Sequence, residues 1–432
     1  MSENGRKQVV IVGGGFAGLN CAQRLAAHGE FQITLLDKNN YQQFQPLLYQ
    51  VATGVLSPDN AAFNLRAVLA IHKNVDIKMT EIVSVDLATR TAHSSNGDEY
   101  RGDYLVLAAG AEANFFGIPS VAKYACPLYS LLDAEQLRSR LLEMLEAADR
   151  TGHKEGADPI RIVVIGGGPT GVETAGAIAD LFQRTPEFVF KDTDLKRASV
   201  TLIDMATSVL MPFTRKAQEY TSSILSERGV QLRLGASVSE VTASGVVLSD
   251  GTHLPAGLVI WAGGLKASKL SASLGIKPGR GGRVDVKSDL TVDGFPGVYA
   301  LGDFANFKQE DGSALPQLAS VAQQAGRHCA TNIAAAAAGE TGTPFKYHDK
   351  GIMAMVGRNA AVAEVGSSHH TLTGPLAFAA WLGVHALLLT TARARLETFF
   401  EWGWEYFGHV HVAPILDRPS VNWSPESTPP SN

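Results

Sequence analysis

Two runs of glycine carry the first spacing in this 432-residue chain with the geometry for holding a ligand. Gly13, Gly15 and Gly18 lie in "VVIVGGGFAGLNCAQRLA", and Gly166, Gly168 and Gly171 in "IVVIGGGPTGVETAGAIA". Both follow G-x-G-x-x-G. In such a run the first glycine permits the tight turn and the second lets a pyrophosphate approach the backbone. The third lets a helix close on a strand. Phosphate then faces a helix N-terminus, where free N–H groups and the dipole favour negative charge. The set is completed by an acid near the end of the next strand, about 20 residues on, which takes a ribose hydroxyl. Asp37 in "FQITLLDK" stands nineteen residues after Gly18, and Asp204 in "ASVTLIDM" thirty-three after Gly171. The polar stretch 182–197, "FQRTPEFVFKDTDLKR", accounts for the longer interval as an insertion. Two ligand-free structural turns are the alternative; the pair in context predicts two dinucleotide sites.

The elements that must hold these residues repeat as well. Each run is a β-branched strand, a turn, an alanine-rich helix and a second strand ending in the acid, which predicts an α/β fold with two Rossmann-like domains. Residues 100–119, "YRGDYLVLAAGAEANFFGIP", read as an apolar strand entering a small-residue turn where backbone can pass close to a cofactor. Residues 297–307, "GVYALGDFANF", read as another buried strand, ending in Gly302 and Asp303. An acid there can accept hydrogen bonds from polyol hydroxyls; an N-cap role for Asp303 is the alternative.

The chain is long enough for two or three cores. Charged residues make up 18 %, the net charge is −5, and no basic block points to nucleic acid. Cys21, Cys126 and Cys329 form no C-x-x-C and no metal-ligand spacing, so no metal is expected and free thiols suit a reducing compartment. "MSENGRKQVVIVGGG" has no signal-peptide core, which predicts no translocation. Residues 376–392, "LAFAAWLGVHALLLTTA", run seventeen residues without a formal charge before Arg393 and Arg395. That is short of the about 20 usual for a bilayer span. In residues 396–407, Leu396, Phe399, Phe400, Gly403, Trp404 and Phe407 share one helical face, and Glu397, Glu401 and Glu405 another. Residues 376–407 therefore read as a monotopic membrane anchor, although interfacial helices usually carry Lys and Arg where this one carries acids. A dimer interface or buried core helices are the alternatives, and a homodimer stays open.

The order of fingerprint, small-residue strand, second fingerprint and "YALGD" resembles the two-dinucleotide flavoprotein disulfide-reductase superfamily over about residues 8–330. The resemblance implies FAD in the first site, NAD(P)H in the second, and an FAD domain interrupted by the NAD domain. The expected bounds are 1–120 and 285–345 for FAD, 121–284 for NAD(H) and 346–432 for the C-terminal region. Thiol-disulfide members carry a C-x4-C or C-x2-C pair and sulfide:quinone reductases paired cysteines; no such spacing occurs here, which disfavours both, with a pair distant in sequence as the alternative. "QQFQPLLYQVATGVLSPDNAAFNLRAVL" (42–69) and the D-x-G-x-M-A-x-x-G-R pattern of "HDKGIMAMVGRNAAVAEV" (348–365) resemble the type II NADH:quinone oxidoreductases, single-chain and non-pumping.

That resemblance implies FAD contacts at Gly13, Gly15, Phe16, Ala17, Gly18, Asp37, Lys38, Ala109, Gly110, Gly302, Asp303, Leu318 and Ala319. For NADH it implies Gly166, Gly168, Pro169, Thr170, Gly171, Glu173, Asp204 and Gly263. Glu173 is expected near flavin and quinone, in proton relay or nucleotide positioning; an acid stabilised by its helix N-terminus is the alternative. Lys350 is a second catalytic candidate, against a solvated loop lysine. The family's A-Q-x-A-x-Q-Q-G helix is altered in residues 315–333, "LPQLASVAQQAGRHCATNI": Ser320 replaces the first glutamine and Ala325 the last, while Gln324 and Gly326 match. A helix starting there would aim its N-terminal N–H groups at the flavin. The quinone pocket is expected from Leu318, Ser320, Val321 and Gln324, with Ser320 shorter in reach than glutamine. Asp204, followed by "MAT" without arginine, predicts NADH over NADPH. The expected location is peripheral, on the cytoplasmic side of the cell inner membrane. A reductase of a soluble ferredoxin-like carrier, and a non-enzymatic NADH-sensing flavoprotein similar to apoptosis-inducing factor, are the other readings.

Overall fold

The computed structural model describes residues 5–152, 159–366 and 369–408. In chain order its main elements begin with β1 (Lys7–Val12), α1 (Phe16–Ala26), β2 (Phe31–Asp37), β3 (Val75–Met79), β4 (Tyr104–Leu107), β5 (Cys126–Pro127) and β6 (Arg161–Ile165). Next come α2 (Pro169–Arg184), β7 (Ser199–Asp204), β8 (Val230–Leu234), β9 (Leu258–Trp261), β10 (Val298–Ala300) and α3 (Ala319–Ala337). Last are β11 (Gly351–Gly357), β12 (Ala360–Val365), β13 (His370–Thr373), α4 (Gly374–Leu388) and α5 (Ala392–Phe407).

The chain forms two compact units. The first is built from residues 1–43, 62–112 and 265–349, so it is interrupted in sequence by the second, 44–61, 113–264 and 350–432. The first unit holds a five-stranded sheet in the order β10-β4-β1-β2-β3, every pair parallel. The second repeats it as β5-β9-β6-β7-β8, again all parallel. Parallel strands are covered on both faces, which is why β1 and β6 read as continuous β-branched runs and not as alternating ones. Val9, Val10, Ile11 and Val12 are all buried, as are Ile162, Val163, Val164 and Ile165. These are the two Rossmann-like domains expected from the sequence.

The stretch 182–197 behaves as an insertion: α2 ends at Arg184 and irregular chain with one short turn (Leu195–Arg197) leads into β7. Of the C-terminal region 346–432 set apart by sequence, the residues up to 349 group with the first unit and those from 350 with the second. There β11, β12 and β13 form an antiparallel sheet that is followed by α4 and α5.

The uncharged run 376–392 is not one span. α4 stops at Leu388, Leu389 is extended, and Thr391 caps α5 by accepting a hydrogen bond from the Ala394 N–H at 3.1 Å. A threonine at an N-cap satisfies one of the free amides of a new helix, so Thr391 starts a second helix. Among the described residues no helix is long and apolar enough to cross a membrane.

Candidate functional site

In the first unit the glycines shape a cradle at the end of β1. Gly13 has φ +104°, and a Cβ there would lie 2.2 Å from the Ala108 carbonyl oxygen. A Cβ on Gly18 would lie 1.9 Å from the Gly13 carbonyl oxygen, so α1 meets the turn as closely as backbone permits. Gly15, the N-cap of α1, has nothing within 4 Å of its Cβ position. Open space in front of free helix N–H groups is what a pyrophosphate requires. Asp37 closes β2, its carboxylate accepting from the Gly14 N–H at 2.6 Å and the Asn39 N–H at 2.7 Å. Burial raises its pKa, opposed by those two amides. Gly302 and Asp303 form a short turn after β10, where Leu301, not Asp303, holds the N-cap position. A Cβ on Gly302 would stand 3.1 Å from that of Ala17, and one on Gly326 would stand 2.2 Å from the Ala17 carbonyl oxygen, so α3 packs backbone-close on α1. Gln317 donates to the Asp303 carbonyl at 3.2 Å, just before Leu318 caps α3 at Ala319. Ala109 and Gly110 follow β4; Lys38 is exposed beyond β2. These residues fit an FAD diphosphate and ribityl chain.

The second unit repeats the cradle. Gly166 has φ +116°, with a Cβ position 2.3 Å from the Ala262 carbonyl oxygen and 2.9 Å from the Gly263 nitrogen. A Cβ on Gly171 would lie 1.8 Å from the Gly166 carbonyl oxygen, and Gly168, the N-cap before Pro169 and Thr170, is open. Asp204 ends β7 and accepts from the Gly167 N–H and, at 2.6 Å, from the Ala206 N–H. No arginine accompanies it in the turn that follows, so a 2′-phosphate would meet uncompensated negative charge.

Glu173 sits at the start of the second turn of α2, 8 % exposed. Its Oε1 accepts from the Met355 N–H of β11 at 3.1 Å. Burial raises its carboxyl to about 8; the Met355 amide and the nearby Trp381 indole oppose that rise, the indole from outside hydrogen-bond geometry. At neutral pH Glu173 is therefore a protonated acid. It lines an apolar cavity of about 340 Å³ in the second unit, with Tyr49, Met355, Phe378, Leu382 and Trp402 among the walls. Asp180, Arg184, Arg358 and Glu405 form its polar part.

α4 and α5 are fixed to the second unit by polar groups that look inward. Glu401 accepts from the Ser57 N–H at 3.2 Å and Glu405 pairs with Arg184 at 3.8 Å. Arg358 donates to the Tyr406 carbonyl at 2.5 Å and lies 4.3 Å from that ring's centre. Cations on the last carbonyls of a helix satisfy orphan acceptors and oppose its dipole. Of the acidic stripe that conflicts with an interfacial helix, Glu401 and Glu405 thus face the protein, while Glu397 is exposed and pairs with Arg393 of the same helix at 2.6 Å. Phe400, Trp404 and Phe407 are 73 %, 80 % and 77 % exposed, and Leu376, Leu387, Leu396 and Phe399 join them. These side chains are not core, which removes the buried-helix alternative for them.

Residues 7–326 match the pyridine nucleotide-disulphide oxidoreductase family. The type II NADH:quinone oxidoreductase Ndh of Mycobacterium tuberculosis is 36 % identical over 92 % of this chain and 87 % of its own. The chain belongs to the type II NADH:quinone oxidoreductases. The corresponding Staphylococcus aureus enzyme is 30 % identical over 83 % of this chain and 90 % of its own. The fold matches the Plasmodium falciparum NDH2 structure in complex with NADH at a TM-score of 0.85 and 20 % identity, over 94 % of this chain and 99 % of that one.

Against the family's glutamine-rich helix, the chain's departures have visible consequences. Ser320 Oγ is 2.9 Å from the Tyr347 hydroxyl. Gln324 commits both ends of its amide, donating to the His348 carbonyl and accepting from its N–H, each at 3.0 Å. Val321 is buried and Leu318 half-buried. Lys350 is exposed at the start of β11 and does not line the cavity that Glu173 lines. Cys21, Cys126 and Cys329 are buried and free of disulfides, and among the described residues no metal-binding cluster occurs. Sequence reasoning named neither Tyr49 nor Gln50, although both lie in the stretch 42–69 that carries the resemblance. No spacing rule marks them, because their role depends on helices more than three hundred residues later in the chain.

Proposed function

We propose that this family member oxidises NADH and reduces a membrane quinone without pumping protons, peripherally bound on the cytoplasmic side of the cell inner membrane. The observation that carries this reading is an apolar cavity with a protonated acid, Glu173, in its wall, beneath two helices whose large apolar side chains are exposed. A quinone has a flat apolar ring and an isoprenoid tail, and such a route from lipid suits both. A soluble iron–sulfur carrier would need a polar docking face, and the exposed aromatic row offers the opposite chemistry.

The glycine cradle, Asp37 and Asp303 of the first unit hold FAD, and that of the second, with Asp204, holds NADH. Held there, FAD would supply two-electron transfer between NADH and the quinone. Overall, NADH, one solvent proton and a quinone yield NAD⁺ and a quinol. Asp204 selects against a 2′-phosphate by repulsion. Glu173 keeps a proton available within the cavity at neutral pH, and the apolar walls exclude water from the reacting groups. Gln324 has its amide committed to His348, and none of Leu318, Ser320, Val321 and Gln324 lines the cavity that Glu173 lines, so recognition of a quinone there falls to other residues.

The test is anaerobic turnover of the purified flavin-loaded protein with NADH and a short-chain ubiquinone or menaquinone in liposomes. Quinol formation matching NADH consumption supports the reading. Reoxidation by oxygen alone, whatever quinone is offered, overturns it.

A further inference from the structure

Three polar side chains form a buried chain in the wall of that cavity. The Trp402 Nε1–H donates to Gln50 Oε1 at 2.7 Å, and Gln50 Nε2–H donates to the Tyr49 hydroxyl oxygen at 2.9 Å. Trp402, Gln50 and Tyr49 are 7 %, 5 % and 4 % exposed, and all three line the cavity with Glu173. The direction of every hydrogen in this chain follows from chemistry. An indole N–H can only donate, so the oxygen of the Gln50 amide must face it. The amide nitrogen, also donor only, is then left for Tyr49, whose oxygen must accept. The hydrogen of Tyr49 is therefore turned away from Gln50, and among the described residues no acceptor receives it. Buried hydroxyl hydrogens are rarely left unpaired, because their water bond has been given up.

We infer that Tyr49 is a substrate-binding residue that donates its hydroxyl hydrogen bond to a carbonyl oxygen of the quinone in the cavity, with Gln50 and Trp402 as the positioning residues that aim it. This rests on the reading of the cavity as the quinone site. A quinone carbonyl is an acceptor only, so a fixed donor both orients the ring and strengthens as electrons arrive and negative charge builds on that oxygen. The arrangement also ties substrate to anchor. Trp402 belongs to α5, whose exposed side carries Phe399, Phe400 and Trp404. If α5 shifts away, the Gln50 amide loses the contact that fixes its orientation and Tyr49 loses its aim.

The test uses the full-length, flavin-loaded protein in liposomes with NADH and a short-chain ubiquinone, comparing wild type, Tyr49→Phe, Trp402→Phe and the double variant. Tyr49→Phe should lower quinone kcat/KM roughly tenfold, the scale of one neutral hydrogen bond that strengthens in the transition state. Trp402→Phe should lower it roughly threefold, and should add nothing once Tyr49 is already Phe, since it acts only through that hydroxyl. Infrared difference spectra of the bound quinone supply the second readout: its carbonyl stretch should move to higher wavenumber in Tyr49→Phe, which a merely structural role would not produce. A wild-type carbonyl band and kcat/KM in Tyr49→Phe, or full additivity of the two substitutions, overturns the inference while leaving the quinone reading intact. A wild type with neither a bound-quinone band nor quinone turnover overturns both.

Discussion

Gly176 sets Glu173 against β11. A Cβ on Gly176 would lie 2.1 Å from the Val356 carbonyl oxygen, so α2 touches the strand with bare backbone. One turn earlier on the same helix, Glu173 then reaches the Met355 N–H at 3.1 Å. Gly176→Ala must push helix and strand apart. It should destabilise the protein by about 1–3 kcal/mol, the scale of an overpacked core site. It should also loosen the Glu173 bond, giving weaker quinone turnover than equal thermal destabilisation elsewhere would produce. A Tm and turnover both equal to wild type would show that the contact does not set the position of the acid.

Glu173 should impose an alkaline limit. Its folded pKa, raised to about 8, stands above the ordinary 4.5. The folded state thus holds a proton that the unfolded chain releases, and stability drains as pH rises from about 4.5 to about 8 and then levels. The slope is at most about 1.4 kcal/mol per pH unit. Glu173→Gln keeps an acceptor for Met355 and cannot ionise, so its stability relative to wild type should rise through that window in parallel denaturation curves. In turnover, the wild-type decline above about pH 8 should vanish in the variant, at a lower plateau. An unchanged alkaline limb in Glu173→Gln would assign the titration to another group.

His385 acts in the opposite direction. It stacks on Trp381 with ring centres 3.8 Å apart, and its Nδ1 lies 2.8 Å from the Trp381 carbonyl oxygen. Burial lowers its pKa from 6.5 to about 4, against that hydrogen bond. Between those values the unfolded chain takes up a proton that the folded state refuses, so stability falls as pH drops from about 6.5 towards about 4. Acid should loosen α4 first, seen as a change in tryptophan fluorescence. His385→Phe, which preserves the stack, should flatten this acid limb; an equal acid transition in that variant would place its origin elsewhere.

How much of this was legible in the sequence divides by distance along the chain. Gly13 to Asp37 and Gly166 to Asp204 encode whole strand–turn–helix–strand units, and both parallel sheets follow from them. The apolar face of residues 396–407 was visible from helical periodicity. What its acids touch was not, because Ser57 and Arg184 reach Glu401 and Glu405 only in the folded second unit. The same holds for Gln50: a glutamine in a short helix means little until Trp402 fixes its amide. Gln324 shows the reverse failure. Its place in a family motif suggested substrate recognition, yet His348, absent from that motif, occupies both ends of it.

The two nucleotide acids should differ in what their loss does. Asp204 lies in the second cradle with one oxygen on Gly167 and the other on Ala206, so it both shapes the turn and presents charge to the ribose. Asp204→Ala should weaken NADH binding and narrow the ratio of kcat/KM for NADH over NADPH by roughly tenfold, since a single charge–phosphate repulsion is removed. Flavin content should hold, because Asp37 belongs to the other unit. Equal kcat/KM for both nucleotides in the unaltered protein would contradict the role given to Asp204.

Membrane attachment should depend on the outward face of α5 and not on charge. Removing α4 and α5 outright would confuse the question, because Trp381 and Trp402 are buried in the second unit and their loss would damage it. Phe399, Phe400 and Trp404 are exposed and can be changed without touching that core. Full burial of one large apolar side chain is worth about 1.5–3 kcal/mol, and an interfacial helix inserts only part of each ring. Replacing all three by Ser should therefore cost about 3–4 kcal/mol of membrane affinity, roughly a hundred- to thousandfold in partition. Flotation with liposomes should find wild type with the lipid at high as well as low salt, since no lysine row holds it there. The triple variant should stay in the aqueous fraction with its flavin, and should reduce a soluble short-chain quinone better than one embedded in lipid. Release of wild type by salt alone would mean that attraction between charges, and not the aromatic row, holds the protein to the membrane.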